Sequence, residues 1–222
     1  MNRKKLVNSL IILAVTVVFT VLVMMLDKAP VGPYSTEIGF STVNDYVSGL
    51  FPFNSFFYTL TKIIGYVSLL GGGAFAVVGI YQLFTRKSLR KVDRLIYCLG
   101  GLYLVLGAVY FAFEKIVINY RPILLEGETY PAPSYPSSHT MLATVILWSI
   151  ILVIDSYVKN IKYANAIKLV CFVLMTVNVV CRLASGVHWL TDIIGGILVS
   201  ATLISFFDVI AFKSDTPEEK TE

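Results

Sequence analysis

His188 and Asp192 stand four positions apart in the run from Arg182 to Asp192, which reads Arg-Leu-Ala-Ser-Gly-Val-His-Trp-Leu-Thr-Asp. On a helix that spacing puts the two side chains on one face, one turn apart. A carboxylate can then accept the proton of one imidazole nitrogen while the other nitrogen faces a reacting atom. Arg182 lies six positions before His188, ahead of a Ser-Gly break, and can set a planar cation over the same point. A base, the acid that orients it and an anion clamp within eleven residues make a catalytic pattern.

The chain has one other histidine, His139, which follows Pro136, Ser137 and Ser138 at the predicted start of an apolar helix. A helix start offers unpaired N–H groups and a positive dipole end, which together bind anions. Proline and serine suit the helix entry. Ser137 and Ser138 are therefore expected to hold anionic oxygens while His139 reaches a leaving group. The plainer alternative is a helix cap with an interfacial polar residue. A third cluster, Lys115 with Arg121 and Pro122, closes the outer end of the preceding apolar run. Cations at that end run against the usual charge bias of membrane proteins and ask for a counter-charge, which an anionic substrate would supply.

The elements that carry these residues are apolar. Of 222 residues, 56% are hydrophobic and 14% charged, against about 25% charged in a water-soluble domain. Six runs, at 6–26, 58–84, 95–114, 139–155, 165–181 and 188–212, approach the length of a crossing helix. A bilayer core leaves no partner for unpaired backbone groups, so all six are expected to be helical. The fold class is all-α: one polytopic domain over 1–222, with six transmembrane helices in a bundle. The net charge of +4 matters through its placement. Arg3, Lys4 and Lys5, then Arg86, Lys87, Arg90, Lys91 and Arg94, then Lys159, Lys162 and Lys168 fall on one side of an alternating bundle. They read as topology signals, not as a nucleic-acid surface, and place that side in the cytoplasm. Both termini are then cytoplasmic in the cell membrane, and 27–57, 115–138 and 182–187 lie outside, with the candidate catalytic residues facing the extracytoplasmic side. The first run is too long for a signal peptide and lacks a small-residue cleavage site, so it reads as a retained anchor.

Within 27–57, Pro30, Gly32, Pro33 and Pro52 break the chain, while Val43, Tyr46, Val47, Leu50 and Phe51 recur at helical spacing. A short interfacial helix is expected there, as a lid or, more simply, a packed connector. The glycines at 71–73 and 195–196 suit close helix packing. Cys98, Cys171 and Cys181 are scattered and odd in number, without disulfide or zinc spacing. The tail 213–222 is polar and expected to be disordered on the cytoplasmic side. The oligomeric state is left open.

Lys115 with Arg121-Pro122, then Pro136-Ser137-Ser138-His139, then Arg182 with His188 and Asp192, resemble the three signature motifs of the type-2 phosphatidic acid phosphatase superfamily. Those motifs are usually written Lys-x6-Arg-Pro, Pro-Ser-Gly-His and Ser-Arg-x5-His-x3-Asp. Three positions depart from them. Lys115 is six residues from Arg121 where seven are usual, and Glu114 takes the expected place. Ser138 replaces a glycine, and Cys181 replaces a serine.

The resemblance implies a phosphohistidine route. His188 would be the nucleophile, Asp192 its orienting acid and His139 the proton donor to the leaving group. Arg121, Arg182, Lys115, Ser137 and Ser138 would bind phosphate. It also implies a membrane lipid substrate, phosphatidylglycerophosphate first and undecaprenyl diphosphate as the alternative. No cofactor and no metal are expected, because two histidines, one clear carboxylate and several cations suit an anion better than a divalent ion. Recruitment of Glu126 and Glu128 by a metal is the rival reading. A small transporter would carry its ionisable residues near the span centres, which is not the pattern here. A non-catalytic lipid-binding relative would have no need of both histidines and Asp192.

Overall fold

The computed structural model describes residues 3–32 and 34–212. Pro33 and the tail 213–222, including its expected disorder, lie outside the described residues. Seven α-helices are described: α1 (Arg3–Met25), α2 (Ser41–Leu50), α3 (Ser55–Arg86), α4 (Arg94–Lys115), α5 (Ser138–Val153), α6 (Ile161–Ala184) and α7 (Leu190–Ala211). All but α2 are long and apolar enough to cross a membrane. The protein is a multi-pass membrane protein. The predicted runs match these helices within a few residues, with one informative miss. The span expected at 165–181 is the longer α6, which carries Arg182 inside its last turn instead of in an external loop. A charged residue ends a hydropathy pattern, but it does not end a helix whose neighbours hold its side chain.

A short antiparallel hairpin, β1 (Ala29–Val31) with β2 (Thr36–Ile38), precedes α2 and adds a little sheet to a chain expected to be wholly helical. α2 itself falls where the spacing of Val43 to Phe51 placed a short helix. Val43, Tyr46 and Leu50 remain exposed on it. Its buried Asn44 reaches the start of α7, donating to Thr191 Oγ1 at 2.9 Å and accepting from the Thr191 backbone N–H at 3.2 Å. This segment is therefore a packed brace.

α5 is the central helix. Inside its crossing window 61% of residues are buried, against 17% for each of α1, α4 and α6, so those three turn most of their surface outward as lipid-facing helices do. Met141, Val145, Ile146 and Ile150 of α5 form the core with Ile64 and Phe75 of α3 and Leu99 and Leu106 of α4. Small residues set how closely α7 approaches α5. A Cβ on Gly195 would lie 2.5 Å from the Tyr135 ring, and one on Gly196 would lie 3.0 Å from the Ser137 carbonyl oxygen. That proximity brings the first turns of α5 and α7 together, and His139 and Asp192 sit in those turns.

The two ends of the bundle differ in chemistry. At one end Lys5 pairs with Asp208 at 2.8 Å, Arg86 with Asp93 at 2.7 Å and Lys168 with Asp155 at 2.5 Å. These are partly exposed pairs of small energetic weight; Arg94, donating to the Ile210 carbonyl, ties the α3–α4 link to the end of α7 where Lys5 also pairs. The longer connections, 26–54 and 116–137, lie at the other end together with 185–189.

Candidate active site

Arg182 is the hub. Its side chain is fully buried in the last turn of α6. Nη1 donates to Thr61 Oγ1 of α3 at 3.2 Å, and the guanidinium lies 5.4 Å from the centre of the Tyr58 ring. Nη2 is 3.2 Å from His139 Nδ1 and 3.2 Å from His188 Nε2. One nitrogen therefore holds both imidazoles, which lie within two hydrogen-bond lengths of each other although 49 positions separate them in sequence. No carboxylate pairs with Arg182 among the described residues, and its Nε, like that of Arg121, is buried without a hydrogen-bond partner.

A guanidinium only donates, so the two imidazole nitrogens facing it carry lone pairs. The proton of His188 is then on Nδ1, which is 3.3 Å from Asp192 Oδ2. Burial first, then the charges of Arg182 and Arg121, hold the His188 pKa well below its usual 6.5. The ring is neutral, its tautomer is fixed by Asp192, and its free lone pair points at the cation.

The His188–Asp192 link does not arise as the spacing suggested. α7 begins at Leu190, and Trp189 is an extended N-cap with φ −69° and ψ 157°, so His188 lies ahead of the helix. Asp192, in the first turn, reaches back to accept the Trp189 N–H at 3.0 Å along with the imidazole proton. A helix-capping carboxylate orients the base. Its other oxygen accepts from Asn119 Nδ2 at 3.3 Å. Asn119 is fully buried in the loop between α4 and α5.

His139 lies in the first turn of α5, and its carbonyl accepts from the buried Asn178 at 3.2 Å. Its neighbours divide. Ser138 lines two adjoining cavities, one with Arg121 and Glu114, the other with His139 and Lys62. Ser137 is fully buried, and its hydroxyl oxygen caps α5 by accepting from the Thr140 N–H at 3.5 Å, and accepts also from the Thr140 hydroxyl at 3.0 Å. Capping occupies the acceptor side of the Ser137 hydroxyl, whose one O–H is all it has left to offer an anionic oxygen. Arg121 pairs with Glu128 at 3.5 Å. That contact occupies Glu128, one of the two carboxylates a metal reading needed. Among the described residues no three His, Cys, Asp or Glu side chains gather as a metal site.

A model of the PAP2 superfamily matches residues 94–214, more than half of the chain, from α4 through α7. The chain belongs to the PAP2 superfamily. The matched region contains both histidines, Asp192, Arg121 and Arg182, so the PAP2 portion holds the whole cluster except its α3 wall. The fold is similar to a crystal structure described as the first transmembrane PAP2 type phosphatidylglycerolphosphate phosphatase from Bacillus subtilis. That similarity has a TM-score of 0.59 at 16% identity and covers 94% of this chain and 98% of the other. No curated protein matches the sequence.

Of the PAP2 candidates named from sequence, His139, His188, Asp192, Arg121, Arg182 and Ser138 come together. Lys115 does not. It is the last residue of α4, exposed, and it lines neither cavity at the site. Adjacent helical positions point about 100° apart, and it is Glu114 that lines the cavity beside Arg121. Lys62 is the cation that sequence reading missed. It lines the cavity with His139 and Ser138, and its ammonium lies 5.4 Å from the Tyr58 ring that Arg182 also faces. A signal existed, because Lys62 is the one charged residue in the apolar run 58–84, and an ionisable residue inside a span is seldom idle. Asn119 gave no comparable signal, since an asparagine in a loop is ordinary.

Proposed function

We propose that this PAP2 protein hydrolyses a lipid phosphomonoester through a phosphohistidine intermediate, with phosphatidylglycerophosphate as the substrate. One observation carries the reading. A fully buried guanidinium, unpaired by any carboxylate among the described residues, bonds the free nitrogens of two imidazoles. Burying a cation without its anion is costly, and a phosphate group supplies the missing charge at the nucleophile. The Bacillus subtilis relative, named for phosphatidylglycerolphosphate, supports the choice of substrate.

In this mechanism the phosphate draws the Arg182 donors onto its oxygens, freeing the His188 Nε2 lone pair for attack on phosphorus. The N–P bond forms as the P–O bond to the lipid alcohol breaks. Arg121, Arg182 and Ser138 stabilise the charge that spreads over the equatorial oxygens. His139, protonated on substrate binding, gives its proton to the leaving oxygen. Neutral again, it takes a proton from the water that attacks the phosphoenzyme, releasing phosphate and His188. Asp192 accepts the Nδ1–H throughout and stabilises the charge that His188 gains on bonding to phosphorus. The donor set is cationic, so no metal is assigned a role, and activity is expected to persist in EDTA.

The test uses purified protein in detergent with phosphatidylglycerophosphate labelled in its terminal phosphate. Wild type releases inorganic phosphate. His139→Ala, quenched in alkali, retains label on the protein, while His188→Ala neither turns over nor becomes labelled. Near-normal phosphate release by His188→Ala would remove the nucleophile from this mechanism.

A further inference from the structure

Lys62 lies on the leaving-group side of the site. The cavity it lines, of about 220 Å³, also contains His139, Ser138, Gly65, Tyr66 and Leu142, but not His188 or Arg182. The two cations therefore flank Tyr58 with different outlooks. Arg182 is enclosed with the nucleophile, and Lys62 opens into the space beyond the proton donor. That space adjoins an apolar cavity of about 290 Å³ between α3 and α4, with Leu69, Tyr110 and Leu142 in both walls and Gly72, Gly73 and Gly107 deeper. Sequence runs along α3 as Tyr58, Thr61, Lys62, Gly65 and Leu69, at the spacing of one helix face. No carboxylate pairs with Lys62 among the described residues.

We propose that Lys62 binds a second phosphate carried by the leaving group, so that the protein selects lipids bearing two phosphates over lipids bearing one. This rests on the phosphatase reading above. The transferred phosphate occupies the His188–Arg182–Arg121 side, and the group departing past His139 enters the cavity where Lys62 is the cation. In phosphatidylglycerophosphate the second phosphate is the diester one glycerol away. In a polyprenyl diphosphate it is the phosphate bonded directly to the one transferred. A single-phosphate lipid such as phosphatidic acid offers Lys62 nothing, and its acyl chains begin immediately in the apolar wall.

The experiment compares kcat/KM of wild type, Lys62→Gln and Lys62→Arg on phosphatidylglycerophosphate, undecaprenyl diphosphate and phosphatidic acid in the same mixed micelles, with melting temperatures as a control for folding. A charge-assisted contact is worth on the order of tenfold in binding. Lys62→Gln is therefore expected to lose at least that factor more on a two-phosphate lipid than on phosphatidic acid, with Lys62→Arg keeping the preference. Selective loss on one two-phosphate lipid tells which second phosphate is held. Equal losses on all three lipids, no loss at all, or a wild type that favours phosphatidic acid overturns the assignment of Lys62 and leaves the phosphatase reading standing. A wild type inert on all three sinks the phosphatase reading itself.

Discussion

One nitrogen of Arg182 touches two imidazoles, and this contact fixes more chemistry than any motif spacing does. It dictates the proton on His188 Nδ1 and the lone pair on Nε2, and a nucleophile needs that tautomer. Burial with neighbouring cations holds the His188 pKa far below 6.5. The imidazole then stays neutral well into acid, and the acid limb of kcat/KM, which reports the free enzyme, should lie below the usual histidine range. Removing a cation makes protonation easier, so Arg121→Gln should raise that limb toward neutral pH. A limb that stays in place or falls would contradict the electrostatics drawn here. Arg182→Lys keeps the charge but loses the planar fork that anchors Thr61 on one nitrogen while the other holds both rings, and a loss of about 10²-fold or more in kcat is expected. Lys115→Ala, at an exposed helix end, should leave kcat/KM within about a factor of two, the scale of an ordinary surface change. A large loss for Lys115→Ala would show that its side chain reaches the site after all.

At the scale of elements, glycines set the close approaches around the site, Gly195 and Gly196 where α7 meets the start of α5 and Gly186 where the α6–α7 link meets residues 51–53. Gly186, between α6 and His188, has φ +68°, and a Cβ there would lie 2.5 Å from the Phe51 carbonyl oxygen. Both the conformation and a backbone neighbour forbid a side chain. Gly195 meets the Tyr135 ring, which is buried and hydrogen-bonded through its hydroxyl to Thr20 at 2.8 Å. That ring has little room to yield. Gly195→Ala should cost about 1–3 kcal/mol as overpacking, and Gly186→Ala more than about 1 kcal/mol through strain alone, with the backbone clash added. Thermal unfolding in detergent reads both, and a wild-type melting temperature for Gly186→Ala would refute the argument. Asn44→Ala leaves the Thr191 N–H at the α7 start without its acceptor, costing about 1–3 kcal/mol. Its activity should fall with it, because Asp192 is the next residue.

For the whole molecule, the basic end and the site end are opposite ends of one bundle, and from the charge bias we propose that the basic end is cytoplasmic. With Cys98, Cys171 and Cys181 replaced by serine, a cysteine at Lys115 should react with a membrane-impermeant maleimide on intact cells. One at Arg90 should react only after permeabilisation. The reverse pattern would turn the site inward and overturn the proposed topology.

Six spans, their order and the grouping of basic residues were legible in the sequence, because a bilayer demands long apolar helices and a charge bias independent of fold detail. The candidate residues near the motifs were legible too, since His188, Asp192 and Arg182 are close in the chain. What remained hidden depended on packing. Ser137 and Ser138 are neighbours of one type, yet one turns inward as a cap and the other faces the cavity. Lys115 carries the right charge one helical position from the useful direction. Lys62, more than fifty residues before the first motif, joins the site only because α3 lies against α5. Composition and periodicity decide what partitions into lipid, and local spacing decides what is near in the chain. Which side chains share one buried space is settled by helix contacts between distant segments, and those exist only in three dimensions.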